Sequence, residues 1–64
     1  MVTINGKEEN AEGMTVSQYL ESRGYDLKRV AVERNGEIVL KSVYNTEVFH
    51  EGDMIEVVSF VGGG

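Results

Sequence analysis

Asn-Gly occurs twice in this chain, at Asn5-Gly6 and at Asn35-Gly36, each time between residues that favour strands. Both residues of the dipeptide tolerate positive φ, which the two-residue type I′ turn requires at both central positions. Two hairpins are therefore expected. Val2 and Ile4 alternate with Thr3 and Asn5 before the first turn, which predicts a strand with one buried face. Lys7 to Glu12 returns as a polar edge strand, whose charges discourage pairing with another chain. Around the second turn, Val30-Ala31-Val32 leads in, with Val30 and Val32 on one side. Ile38-Val39-Leu40 leads back.

Between the hairpins lies a helix with marked ends. Thr15 can cap it, and Gln18 three residues later completes a capping box. Met14 before the cap and Tyr19 in the helix suit a hydrophobic staple. Val16, Tyr19 and Leu20 fall on one face. Gly24 sits where a left-handed cap belongs, so the helix is expected over about Val16 to Arg23. Lys41 to His50 shows little periodicity and reads as a crossing segment anchored by Val43, Tyr44, Val48 and Phe49. Glu51-Gly52-Asp53 is a turn. Met54 to Phe60, rich in β-branched residues, is the most strand-like segment. Strands arranged around one helix predict an α+β domain over residues 1–60, with a mixed sheet of about five strands on the helix. The crossing is long enough to let the first and last strands pair in parallel.

Sixty-four residues allow one domain. Eleven acidic against six basic side chains give a net charge of −5. Nucleic acid is a poor partner for such a surface, since phosphate binding needs basic groups. The absence of cysteine excludes disulfides, thiolate metal sites and cysteine nucleophiles. A domain this small also has little interior for a ligand pocket of about 300–1,000 Å³. No apolar run approaches the roughly 20 residues of a membrane helix. No basic-then-apolar leader opens the chain, so a cytoplasmic location is expected.

The last strand leads directly into Val61-Gly62-Gly63-Gly64. Three glycines cannot hold one conformation, so residues 61–64 are expected to form a flexible tail. Four residues reach roughly 13–14 Å when extended. A partner could close around such a tail and meet backbone only, and the Gly64 carbonyl is unhindered toward attack. A free carboxylate is a poor acyl donor, however, and adenylation by ATP is the usual activation. The chain has no G-x-x-x-x-G-K-[ST] phosphate loop, so activation falls to a partner enzyme.

These features resemble one family. Val2-Thr3-Ile4-Asn5-Gly6, Thr15-Val16 with Leu20, Val30 to Val39 around Asn35-Gly36, and Glu51-Gly52-Asp53 before Ile55 to Gly64 are similar to the ThiS sulfur carriers of thiamine biosynthesis. The last block is the most specific. The resemblance covers nearly the whole chain and implies the ubiquitin-like β-grasp fold. It implies that a ubiquitin-activating-type adenylyltransferase, using ATP and Mg²⁺, adenylates the Gly64 carboxylate. Sulfur from a persulfide donor then gives a thiocarboxylate, which thiazole synthase consumes. In this scheme the chain is a co-substrate and not an enzyme, binds no cofactor of its own, and is a monomer when free. The small subunit of molybdopterin synthase and a ubiquitin-like protein modifier are alternatives that use the same terminus. An interaction module with an inert end is a third.

Period-two alternation places Ile55 and Val57 in the core, with Met54, Glu56, Val58 and Phe60 on the other face. Val58, Phe60 and Val61 are therefore candidate partner contacts beside Gly62, Gly63 and Gly64. No metal site is expected: His50 is the only histidine, and Glu47, Glu51 and Asp53 read as a solvated turn. Glu8, Glu9 and Glu12 read as a solvated face, and Tyr19, Tyr25 and Tyr44 as core or rim packing. Arg34 breaks the apolar alternation of its strand and is expected to extend to water.

Overall fold

The computed structural model describes residues 1–60; the expected tail, residues 61–64, lies outside the described residues. The strands are β1 (Val2–Ile4), β2 (Lys7–Glu9), β3 (Val30–Arg34), β4 (Glu37–Val39) and β5 (Met54–Ser59). The single α-helix among the described residues, α1, spans Val16–Ser22. Short 3₁₀ turns precede β3 (Leu27–Arg29) and follow β4 (Lys41–Val43). The sheet order is β2-β1-β5-β3-β4. β5 runs parallel to β1 and antiparallel to β3, so the last strand is the central one.

Both Asn-Gly turns form as their chemistry requires. Asn5 and Gly6 have φ of 52° and 83°, and Asn35 and Gly36 have 52° and 87°. Each asparagine also reaches β5, a role beyond the turn. The Asn5 side chain accepts from the Val57 N–H at 2.7 Å and donates to the Val57 carbonyl at 3.2 Å. Asn35 Oδ1 accepts from the Met54 N–H at 2.9 Å, and its backbone N–H donates to the Met54 carbonyl at 2.8 Å. The side chains of both turns thus complete the ladder of the central strand.

The helix is closed at both ends. Thr15 Oγ1 accepts from the Gln18 N–H, and Gln18 Oε1 accepts from the Thr15 N–H. The Val16 and Ser17 N–H groups donate to the carbonyls of Glu47 and Tyr44, each at 2.9 Å. The crossing segment therefore satisfies donors that a helix start leaves open. At the other end Arg23 is the cap and Gly24 adopts φ 78°. Tyr25 N–H donates to the Leu20 carbonyl and Gly24 N–H to the Glu21 carbonyl, which is the Schellman arrangement. A helix of seven residues cannot persist by propensity. It persists because Val16, Tyr19 and Leu20 are buried with Val2, Ile4, Val30, Val32, Ile55 and Val57 of the sheet. Tyr44 and Phe49 of the crossing close the core, with Phe49 edge-on to Tyr19 at 5.7 Å. Val43 and Val48 are half-buried. Burial pushes the Tyr19 hydroxyl up to about 12, helped by the Glu9 carboxylate that accepts its hydrogen bond.

The structure corrects several expectations. β2 stops at Glu9 and not at Glu12, because the chain turns there to bury Ala11. β4 is Glu37–Val39, one residue earlier than expected. β5 ends at Ser59, although the Phe60 N–H still bonds to the Arg29 carbonyl at 2.7 Å. Arg34 does not extend to water. Its guanidinium turns under the crossing segment and is 19% exposed. Nη1 bonds Glu47 at 2.7 Å, Nη2 bonds the Val48 carbonyl at 2.6 Å, and Nε lies 3.3 Å from Asp53. Asp53 is buried and also accepts from the His50 N–H. Asp53 is thus buried in the clamp and not solvated, while Glu47 pairs with Arg34 from a partly exposed position. Glu9 is likewise engaged: it pairs with Arg23 and accepts from the Tyr19 hydroxyl at 3.1 Å. Arg23 also lies over the Tyr19 ring, 5.3 Å from its centroid.

Replacing Asn5 with alanine removes two hydrogen bonds to β5 and leaves a β-carbon at positive φ. The expected loss is about 2–3 kcal/mol, read by urea denaturation. Asn5→Gly keeps the turn conformation and should lose less; an equal loss would assign the whole effect to the side-chain bonds.

A second prediction concerns acid. The Met1 ammonium lies 2.8 Å from Glu12 and 2.5 Å from Glu51. The hydrogen bond from Met1 is the largest cause holding the Glu12 carboxyl down, at about 2 instead of 4.5. A carboxyl depressed by folding stabilises fully above its unfolded value, and the contribution fades as pH falls through the folded one. Stability measured from pH 4.5 down to about 2 should fall less steeply in Glu12→Gln than in the wild type.

Candidate functional site

The register of the sheet defines its two faces. Val32 of β3 lies between Val57 of β5 and Val39 of β4, and these three residues face the helix layer. One step along, Glu33 lies between Glu56 and Ile38, and this row faces outward. Ala31 opposite Val58, and Thr3 opposite Met54, belong to the same outer face. Met54, Val58 and Phe60 are 63%, 53% and 57% exposed. Ile38 and Leu40 are 62% and 65% exposed.

Val58 and Phe60 therefore stand where period-two alternation put them, on the open face at the end of the central strand. Val61, Gly62, Gly63 and Gly64, the remaining candidate residues, lie outside the described residues. Ile38 and Leu40 join the patch unexpectedly. The Ile38-Val39-Leu40 run alone cannot say whether its middle or its ends are buried. Pairing of Val39 with the buried Val32 decides it, and that is a fact of register, not of local sequence.

Five large exposed apolar side chains on one face of so small a domain exceed the scattered single residues that a monomer's surface needs. β5 pairs with β1 at Met54 and Ile55 and with β3 from Ile55 to Ser59, and the Phe60 N–H bonds the Arg29 carbonyl. The backbone beneath Val58 and Phe60 is thus held in the sheet through its β3 side. Among the described residues, no group of three or more His, Cys, Asp or Glu could hold a metal ion. No helix of the described chain is long and apolar enough to cross a membrane.

A mixed five-stranded sheet on one helix, with a central last strand and an open apolar face, defines a ubiquitin-like β-grasp protein. Residues 1–64 match the ThiS family, and the chain belongs to that family. It is similar to the sulfur carrier protein ThiS of Thermus thermophilus, with 39% identity across all of both chains. It is also similar to the thiazole synthase of Paramagnetospirillum magneticum, at 48% identity over 98% of this chain. The chain spans only 20% of that protein's length. The crystal structure of the thiamine biosynthesis protein ThiS from Geobacter metallireducens superposes with a TM-score of 0.76. Its identity is 31%, covering 98% of this chain and 97% of that one.

If Val58 and Phe60 serve contact and not folding, truncating them should leave the fold intact. Val58→Ala and Phe60→Ala are expected to change stability by no more than about 0.5 kcal/mol. Ile55→Ala, in the same strand but buried, should cost about 2–5 kcal/mol. Thermal unfolding of the three variants checks the contrast.

Proposed function

We propose that this chain carries sulfur for thiamine biosynthesis on the carboxylate of Gly64, as a co-substrate and not as an enzyme. The observation that carries this reading is its end-to-end likeness to a protein named as a sulfur carrier. Its likeness to a segment of thiazole synthase supports that enzyme as the acceptor.

The chemistry follows from the terminus. A ubiquitin-activating-type adenylyltransferase joins the Gly64 carboxylate to the α-phosphorus of ATP, with Mg²⁺, and pyrophosphate leaves. The terminal sulfur of a persulfide then attacks the acyl carbon and AMP departs, giving an acyl disulfide. A thiol cleaves the S–S bond, so that sulfur remains on Gly64 as thiocarboxylate and the donor leaves as a mixed disulfide. Thiazole synthase takes up the sulfur as sulfide, an oxygen from water or from the acceptor substrate replaces it on the acyl carbon, and the carboxylate returns. This chain contributes a substrate carbonyl and a platform. Val58 and Phe60, with Val61 following, let the enzymes hold the domain by contacts remote from the reacting atom, so binding energy positions the terminus.

Intact-mass measurement after incubation with ATP, a persulfide donor, a thiol and the cognate adenylyltransferase should show one oxygen replaced by sulfur. Deleting Gly64 should abolish the replacement while leaving the unfolding midpoint unchanged. An unmodified wild-type chain beside active enzyme would overturn the reading. Transfer of the sulfur to a molybdopterin precursor, and not to thiazole synthase, would reassign the pathway.

A further inference from the structure

The outer face holds a second feature besides its apolar patch. Glu33 of β3 and Glu56 of β5 are directly opposite one another in the ladder, and both are exposed. Like charges at such a position destabilise a sheet. Among the described residues neither carboxylate has an ion pair or a side-chain hydrogen bond. Glu9, Glu12, Glu47 and Asp53 have cationic partners; what sets Glu33 and Glu56 apart from the other carboxylates without one is that they face each other in the ladder. Beside the pair lies an open depression of about 320 Å³ between the two hairpin turns. Thr3, Met54, Glu33 and Glu56 line it, with Gly6 and Gly36 at its ends. Glu8, opposite Thr3, adds a third acid to this face.

We propose that this depression receives a basic side chain, arginine or lysine, from the partner protein that grips the outer face. The inference rests on the carrier reading and adds the chemistry of the partner's contact. An arginine or lysine suits the depression at both ends. Its aliphatic stem lies against Met54, and its charge meets the two carboxylates. Binding would then relieve the repulsion between Glu33 and Glu56. A second copy of this chain is a poor occupant, since a net charge of −5 on each copy and the same carboxylates would meet across the face. A bare metal ion is a poor occupant, since among the described residues no group of three or more His, Cys, Asp or Glu could hold one.

Position gives the contact its use. Glu56 and Phe60 are four residues apart on one face, or roughly 13 Å along the strand. An apolar grip at Val58 and Phe60 alone leaves the domain free to pivot. A second contact of different chemistry, at the far end of the same strand, fixes the direction in which the chain leaves Phe60.

The test compares the wild type with Glu33→Gln/Glu56→Gln in ATP–pyrophosphate exchange by the cognate adenylyltransferase. The double variant should raise KM for the carrier about 10-fold at low salt, leave kcat unchanged, and approach the wild type as salt screens the contact. Its unfolding midpoint should rise by a few degrees, because the repulsion is gone. Glu21→Gln/Glu37→Gln changes the net charge equally at exposed positions off this face and should keep the wild-type KM. If the wild type undergoes exchange while the Glu33/Glu56 variant keeps its KM and salt dependence, this inference fails and the carrier reading stands. A lowered unfolding midpoint, or dimerisation of the free wild type through this face, would also overturn it. If the wild type supports no exchange beside active enzyme, the carrier reading fails and takes this inference with it.

Discussion

The placement of β5 governs this molecule. It is the last strand in sequence and the middle strand in space. Its parallel pairing with β1 and antiparallel pairing with β3 join the two hairpins into one sheet. Without β5 the hairpins would share no hydrogen bonds, and a lone hairpin is marginal in water. The same strand supplies Ile55 and Val57 to the core and Val58 to the open face. Folding and presentation of the outer apolar face are therefore one event. A chain that has not placed β5 has neither a closed core nor a platform.

That dependence explains why so much side-chain chemistry converges on one strand. Asn5 and Asn35 bond its backbone from opposite sides, at Val57 and Met54. Arg34 holds the segment that delivers it, through Glu47, Val48 and Asp53. Parallel pairing across a long connection is costly in chain entropy. The Arg34 clamp offsets part of that cost by fixing the crossing at several points. Arg34 is also anchored in β3, the antiparallel neighbour of β5, so clamp and ladder reinforce each other.

Much of this was legible in the sequence, and the parts that were not share a cause. The Asn-Gly turns, the Thr15–Gln18 box, the Gly24 cap and the alternation through Met54 to Val58 are local patterns with local mechanisms, and each appears where it was expected. Arg34, Asp53 and Glu9 were misread because their partners are 10 or more positions away: Glu47 and Asp53 for Arg34, Arg23 and Tyr19 for Glu9. A charged residue looks solvated until the fold brings its counterion. The same limit hid the second role of both turn asparagines, and it left Ile38 and Leu40 unassigned until the β3–β4 register placed Val39 inward. At the candidate site, Val58 and Phe60 followed from periodicity, whereas the Glu33–Glu56 pair required the β3–β5 register.

The two faces of the sheet also differ in how they treat charge, and the difference bears on what each is for. On the helix side, charged groups at the edges of the core are neutralised within the chain. Arg34 meets Glu47 and Asp53, and Arg23 meets Glu9. On the outer side, Glu33 and Glu56 face one another across the central ladder, and five large apolar groups stand in water. Folding alone gives no reason for either arrangement. A like-charge pair and an exposed apolar patch both cost the isolated domain something, and simple substitutions would remove both. Features that disfavour the free state and would be relieved by a basic, partly apolar surface fit a domain whose working state is a complex. Under the proposed role, such a face would let the carrier bind and release successive enzymes. Leaving part of the complementarity to the partner gives specificity through charge while keeping each complex dissociable.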